Sequence, residues 1–349
     1  MGGAIKIGEK LVGKGHPVYI VAEISANHNQ DISQAIRLVE AAKESGADAV
    51  KLQTYTPDTL TIDCNNEFFL IRGNIWAGKT LYDLYREAYT PWEWHPRLKN
   101  VAEGLGMGFF STPFDGTAVD FLEQLGVPVY KVASFELIDI PLLRAVAATG
   151  KPVIMSTGMA TLAEIDEAVR TLLDGGSRAV ALLKCTSAYP AVADDMNLMT
   201  IANLADTFGL PVGLSDHSLE IAVPVAAVTL GAVIVEKHIT LSRARGGPDS
   251  AFSLEPHEFK AMVDSVRVAE RAVGHVSYSV TEGERSSRVF RRSLFVVEDV
   301  SAGEFFSEKN VRSIRPGFGL HPRNIYDVIG RRAARDINRG TPLSWDLVA

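Results

Sequence analysis

The chain has 349 residues, of which 46% are hydrophobic and 22% charged, the make-up of an ordinary globular protein with material for a large core. Its 35 basic and 42 acidic residues give a net charge of −7, which argues against nucleic acid or an anionic membrane as the main partner. Two cysteines and an N-terminus, MGGAIKIGEKLVGKG, without the apolar core of a signal peptide predict a cytoplasmic protein, and no apolar run reaches the ~18 residues of a membrane span.

Eight short runs rich in β-branched and aromatic residues follow one another: VYIVAEI from Val18, AVKLQTY from Ala49, MGFFSTP from Met107, VYKVAS from Val129, PVIMST from Pro152, AVALLKCT from Ala179, PVGLSDH from Pro211 and VIVEKHIT from Val233. Most of the stretches between them have helical periodicity and end on glycine. The clearest is DISQAIRLVEAAKESG, where Ile32, Ile36, Val39 and Ala42 share a stripe, Asp31 is an N-cap candidate and Gly46 a stop. Nearly continuous apolar strands alternating with helices predict parallel strands covered on both faces. Eight such units close into a (β/α)8 TIM barrel, with an open doubly wound sheet as the competing architecture.

Between the second and third runs the spacing is 58 residues, where the others are 22 to 32. This insertion, 57–94, carries three of the four tryptophans and reads either as a packed extra helix or as a wall or lid over the barrel mouth. The barrel is expected to span 1–275. A polar, turn-rich linker covers 276–289, and 290–349 reads as a small, mostly-β domain of short strands between Gly, Pro and Asp turns. From residue 276 onward there are 12 basic and 9 acidic residues, so the tail is the cationic part.

Barrel enzymes gather their chemistry at the C-terminal ends of the strands. Those ends deliver Glu23, Lys51 with Gln53, Ser111 with Thr112, and Lys131 with Ser134. The last four strands add Ser156 with Thr157, Lys184 with Thr186, Ser215 with His217, and Glu236 with His238. Side chains two apart share a face, so the pairs on the second, seventh and eighth strands can point inward together. Lys51 and Lys131 at one mouth call for a strongly anionic ligand, best a phosphate, with hydroxyl donors from Thr112, Ser134, Ser156 and Ser215. The bland alternative is a structural network in which both lysines pair with Glu23 and Glu236. His217 and His238 fall on adjacent strands, ~5 Å apart if level, and can share a divalent ion acting as a Lewis acid. A different chemistry would use Lys184 as a Schiff-base nucleophile of an aldolase.

The strings VAEISANHN, KLQTY, FFSTPFD, YKVAS, MSTGM, CTSAYP, GLSDHS, VEKHIT and GGPDSAFSLEP resemble, in order and spacing, the nonulosonic (sialic) acid synthase family. IRPGFG and INRGTPLSWDL resemble its C-terminal antifreeze-like (SAF) domain. The resemblance implies a transferase that condenses phosphoenolpyruvate with an acetamido sugar and releases phosphate. Phosphoenolpyruvate would lie on Lys51, Thr112, Lys131, Ser134, Ser156 and Ser215. A divalent metal, Mn2+ first with Co2+ and Mg2+ as alternatives, would lie on His217 and His238, with Glu23 beside it as general base.

YTPWEWH, ASFE, CTSAYPA and GGPDSAFSLEPHEF are most similar to the pseudaminic acid branch, whose sugar is 2,4-diacetamido-2,4,6-trideoxy-L-altropyranose. Phe135 and Ser187 make the pocket less polar than in N-acetylneuraminate synthases; the neuraminate and legionaminate branches are the alternatives. Gln53, Glu136, Tyr189 and Asp249 are candidate sugar contacts. The family pattern also implies that Arg315 reaches into the barrel of a second copy, which makes the expected assembly a domain-swapped homodimer.

Overall fold

A computed structural model describes residues 3–349. It divides into two compact units, Met1–Gly274 and His275–Ala349. No helix among the described residues is long and apolar enough to cross a membrane.

The first unit opens on a hairpin, β1 (Ile5–Ile7) against β2 (Lys10–Val12), with Gly8 in the left-handed region at its turn. Sequence reading had found no element here, because three-residue strands show too little alternation to register. Eight parallel strands follow: β3 (Tyr19–Glu23), β4 (Ala49–Thr54), β5 (Gly108–Pro113), β6 (Tyr130–Val132), β7 (Val153–Ser156), β8 (Val180–Cys185), β9 (Val212–Asp216) and β10 (Ile234–His238). β10 pairs with β3, so the barrel is closed and each of the eight runs supplies one strand. The helix expected after β3 spans Ile32–Glu44, with Asp31 accepting from the Ser33 N–H at its N-cap and Gly46 at positive φ beyond its end.

Strand parity sorts two cores. Ile20, Val50, Tyr130, Met155, Leu182 and Val235 face outward into the layer under the helices. Tyr19, Ala49, Phe110, Ile154, Leu183 and Ile234 face inward, and Ile5, Ile7 and Val12 of the hairpin join them. The hairpin therefore plugs the N-terminal end of the barrel with apolar side chains. The interior is tight enough at Gly213 that a methyl group there would run into the Ile234 carbonyl and approach Leu183 to 2.7 Å. Inward positions one pleat further along each strand are the ionisable ones, so packing of the lower barrel fixes the level at which the charged groups sit.

In the second unit β11 (Ser293–Val296) pairs antiparallel with β12 (Val311–Ile314), and isolated bridges such as Val300↔Ile337 and Ala333↔Val348 stitch the rest around Leu294, Val296, Phe306, Val328 and Leu343. The stretch 276–289 carries a helical turn, Glu282–Arg285, where Thr281 and Glu284 form a capping box, and runs on into a 3-10 turn, Ser286–Phe290.

Candidate active site

Register places the key residues side by side. Glu236 is level with Ser215, His238 with Glu23, and Glu23 with Lys51, so His217, His238, Glu23 and Lys51 stand on four successive strands at one height. Across the barrel Cys185 is level with Ser215, and Gln53 with Thr112.

Lys51 is the hub. Its ammonium lies 2.5 Å from Glu23 Oε2 and 3.2 Å from Glu236 Oε1, and donates to Thr112 Oγ1 at 3.2 Å. Burial works against the charge, but Glu23 and Glu236 outweigh it and hold the ammonium above its usual range. Glu23 is fully buried, and its other oxygen accepts from the Ser25 N–H at 2.7 Å. Burial also opposes ionisation of Glu236, yet Lys131 and Lys51 keep this carboxyl below its usual range, and its Oε2 has no hydrogen-bond partner.

Lys131 is different. It is 1% exposed, donates to Ser156 Oγ at 2.6 Å and to the Val132 carbonyl at 2.9 Å, and makes no ion pair among the described residues. Burial pulls its pKa down, with Glu236 as the main opposing charge. The structural network therefore pairs Lys51 alone and leaves one buried cation without a carboxylate in contact. Beside it Ser134 Oγ accepts from the Gly158 N–H at 3.1 Å. Gly158 keeps this corner open: a methyl group there would lie 2.8 Å from Ser134 Oγ and overlap Ser187 Oγ, so both hydroxyls would have to turn away.

The imidazoles of His217 and His238 have centroids 5.4 Å apart. His217 Nδ1 faces the Thr186 carbonyl at 3.1 Å, which leaves Nε2 as the free lone pair. Burial, then His217 and the lysines, hold His238 well below the imidazole range, hence neutral. Its Nδ1 is buried without a hydrogen bond, 3.6 Å from Asp249 Oδ2. An orphaned nitrogen beside a second oriented imidazole fits a metal. No group of three or more His, Cys, Asp or Glu side chains among the described residues is set to hold one. Two imidazoles thus suit an ion whose other positions go to water or ligand oxygens.

One cavity of about 420 Å3 joins these groups. Its walls include Lys51, Lys131, Ser134, Ser156 and Ser215 of the expected anion site, together with His217, Glu236 and His238. Gln53, Glu136, Tyr189 and Asp249 of the expected sugar contacts line it as well, while Thr112 and Glu23 lie directly beneath, touching Lys51. Arg315 is exposed in the second unit, just after β12. Burial, then the charge of Glu23, push Asp249 up to about 7.

Lys184 is a correction. It stands one residue off the inward parity of β8, half-buried, bonded to the Cys185 carbonyl at 2.9 Å and absent from the cavity wall. A Schiff-base role has no site there. The inward residue is Cys185, which lines the cavity with Sγ 3.9 Å from His217 Nδ1. Sequence reading missed it, although its step of two from Leu183 marks the face. It also missed Trp76, Tyr55 and Phe252, which line the cavity from loops and a strand end.

A barrel whose mouth gathers buried lysines, hydroxyls and paired imidazoles is that of an enzyme acting on an anionic substrate. Residues 38–278 match the model of the NeuB family and residues 291–349 that of the SAF domain, and the chain belongs to the NeuB family. It is 43% identical to the pseudaminic acid synthase of Helicobacter pylori, over 95% of this chain and 97% of that one. Identity with the pseudaminic acid synthase of a Campylobacter jejuni strain is 45%, over 93% and 95% of the two chains. Among solved structures, the N-acetylneuraminic acid synthetase of Leptospira borgpetersenii in complex with citrate superposes with a TM-score of 0.73 at 32% identity, covering 82% of this chain and 95% of that one.

Burial raises the Glu136 carboxyl to about 7, and its Oε2 lacks a partner. The folded pKa lies above the unfolded one, so its contribution to stability is complete below about 4.5 and lost as pH rises through 7. Glu136→Gln is expected to gain stability over the wild type on going from pH 5 to pH 8, by on the order of 2 kcal/mol in denaturant titrations. An equal difference at both pH values would contradict the assignment.

Proposed function

We propose that this chain condenses phosphoenolpyruvate with 2,4-diacetamido-2,4,6-trideoxy-L-altropyranose, releasing phosphate, in the manner of the pseudaminic acid synthases it resembles. The observation that carries the reading is Lys131, a buried ammonium that contacts one hydroxyl and one carbonyl but no carboxylate, next to a cavity that also holds paired imidazoles. Phosphoenolpyruvate supplies the missing anion. Its phosphate lies between Lys131 and Lys51, with Ser134, Ser156 and Ser215 donating to the oxygens.

His217 and His238 would hold a divalent ion, Mn2+ by the donor set, which supplies Lewis-acid polarisation of the sugar carbonyl. Phosphate charge draws Lys51 away from Glu23, whose carboxylate is then free to take a proton. The C3 methylene of phosphoenolpyruvate attacks the aldehyde carbon of the open-chain sugar, a carbon–carbon bond forms, and the former aldehyde oxygen is left as an alkoxide. Water adds at C2, giving one proton to Glu23, from which the alkoxide regains a proton to become a hydroxyl; the tetrahedral carbon then expels phosphate, which takes the remaining C2 hydroxyl proton, to leave a nine-carbon 2-keto acid. The lysines stabilise the departing charge. The sugar contacts are Gln53, Glu136, Tyr189 and Asp249. With both cysteines free thiols, a cytoplasmic site of action fits this chemistry.

Phosphate release should appear with this sugar and phosphoenolpyruvate, exceed that with N-acetylmannosamine, vanish with chelator and return with Mn2+. Preference for N-acetylmannosamine would overturn the choice of sugar, and full turnover in chelator the role of the imidazoles.

The assembly belongs to the same proposal: the SAF unit of one copy caps the barrel of the other, with Arg315 holding an acetamido carbonyl. Co-expressed Arg315→Ala and His238→Ala chains, each inactive alone, should regain on the order of a quarter of wild-type activity, since half of randomly paired dimers carry one intact site. No recovery would contradict the exchange.

A further inference from the structure

The cavity has two unlike halves. Its floor is the charged level of the barrel strands, whereas one wall comes from the insertion after β4, through Leu60, Ile71, Trp76, Leu81, Leu84 and Ala88. The segment that carries Trp76 is tied into a hairpin-like loop. Leu81 donates to the Phe69 carbonyl at 2.8 Å, Ile71 to that of Lys79 at 2.9 Å, and Gly78 to that of Ile71 at 3.1 Å. At the tip, the Trp76 N–H donates to Asn74 Oδ1 at 2.9 Å, and the indole N–H reaches across the mouth to the Pro248 carbonyl at 2.8 Å, next to Asp249.

The indole does not stand alone. It lies 5.6 Å from the Tyr189 ring and 6.4 Å from Phe252; Tyr189 in turn lies 4.5 Å from His217, and Phe252 5.0 Å from His238. A continuous aromatic layer therefore runs from the insertion to the two imidazoles. A ligand seated on the floor with its carbonyl toward the imidazoles must turn its far end to this apolar wall. Hydroxyls at that end would leave water for a mostly apolar wall, where only Asn74 and Tyr85 of the insertion offer polar groups, while methyl groups would gain contact.

We propose that the insertion, latched by Trp76 to Pro248, is the element that sets sugar specificity: its wall receives the C6 methyl and an acyl methyl of the trideoxy sugar and disfavours hydroxyl-rich acetamido sugars. This rests on the reading of the site as a phosphoenolpyruvate and acetamido-sugar synthase given above. Trp76 acts here as a positioning residue. It bears on the sugar and leaves the anion site untouched.

Initial rates of phosphate release by the full chain, with each sugar in turn, separate the possibilities. Trp76→Ala should lower kcat/KM for 2,4-diacetamido-2,4,6-trideoxy-L-altropyranose by about tenfold or more, mainly through KM, and shrink its advantage over N-acetylmannosamine. KM for phosphoenolpyruvate should stay within about twofold. Trp76→Phe, which keeps an aromatic ring on the wall but loses the indole latch to Pro248, should recover only part of the preference. Should Trp76→Ala fail to fold, Leu60→Asn on the same wall carries the same expectation. An unchanged preference in an active, folded variant would overturn this inference alone. A wild type that releases no phosphate with either sugar would overturn the functional reading and this inference with it.

Discussion

Two ammonium groups buried in one barrel mouth are the constraint on which the rest of the site depends. Lys51 is balanced by Glu23 and Glu236, so it is stable as it stands. Lys131 has only a hydroxyl and a carbonyl. An ammonium taken out of water with no carboxylate in contact is unfavourable, and burial holds its pKa below the usual range although Glu236 opposes this from a distance. A fold that keeps such a group holds part of its stability in reserve for an anionic ligand. The second carboxylate, Glu236, has a free oxygen and lies between the two lysines electrostatically, which lets the network rearrange once a phosphate arrives.

The barrel makes this arrangement possible through register. Closure of β10 on β3 brings residues from opposite ends of the first unit to one height, so that His238 neighbours Glu23 and Lys51 although they lie 215 and 187 positions away from it in the chain. Apolar packing below sets that height. The hairpin at the N-terminus and the inward layer of Tyr19, Ala49, Phe110 and Ile154 leave no room for the charged level to sink, and Gly213 shows how little slack remains. Rigid strands carry the charged groups while loops carry the aromatic wall, the usual division between a fixed floor and a variable rim.

What the sequence disclosed follows from periodicity. All eight strands were legible because each is apolar on both faces and is bounded by glycine, and the inward pairs Ser215 with His217 and Glu236 with His238 follow from the step of two. The same rule excludes Lys184, but only once the inward parity of β8 is anchored; from the run AVALLKCT alone either face is possible, and the ionisable residue drew attention from Cys185. The β1–β2 hairpin was too short to leave a pattern. Trp76 was counted as part of an insertion, yet its place at the mouth depends on a hydrogen bond to Pro248, 172 residues away, which no local signal reports. The split roles of the two lysines were likewise invisible, since they turn on distances of an ångström or two to Glu23 and Glu236.

Calorimetric titration of phosphoenolpyruvate into the wild type and into Lys131→Met, paired with their melting temperatures, tests most directly whether Lys131 is a cation kept for an anion. Binding weakened about a hundredfold, together with a melting temperature close to or above the wild type's, is expected, because the variant removes a buried ammonium that no carboxylate contacts along with the ligand's partner. Wild-type affinity in the variant, or a clear loss of stability without ligand, would contradict it.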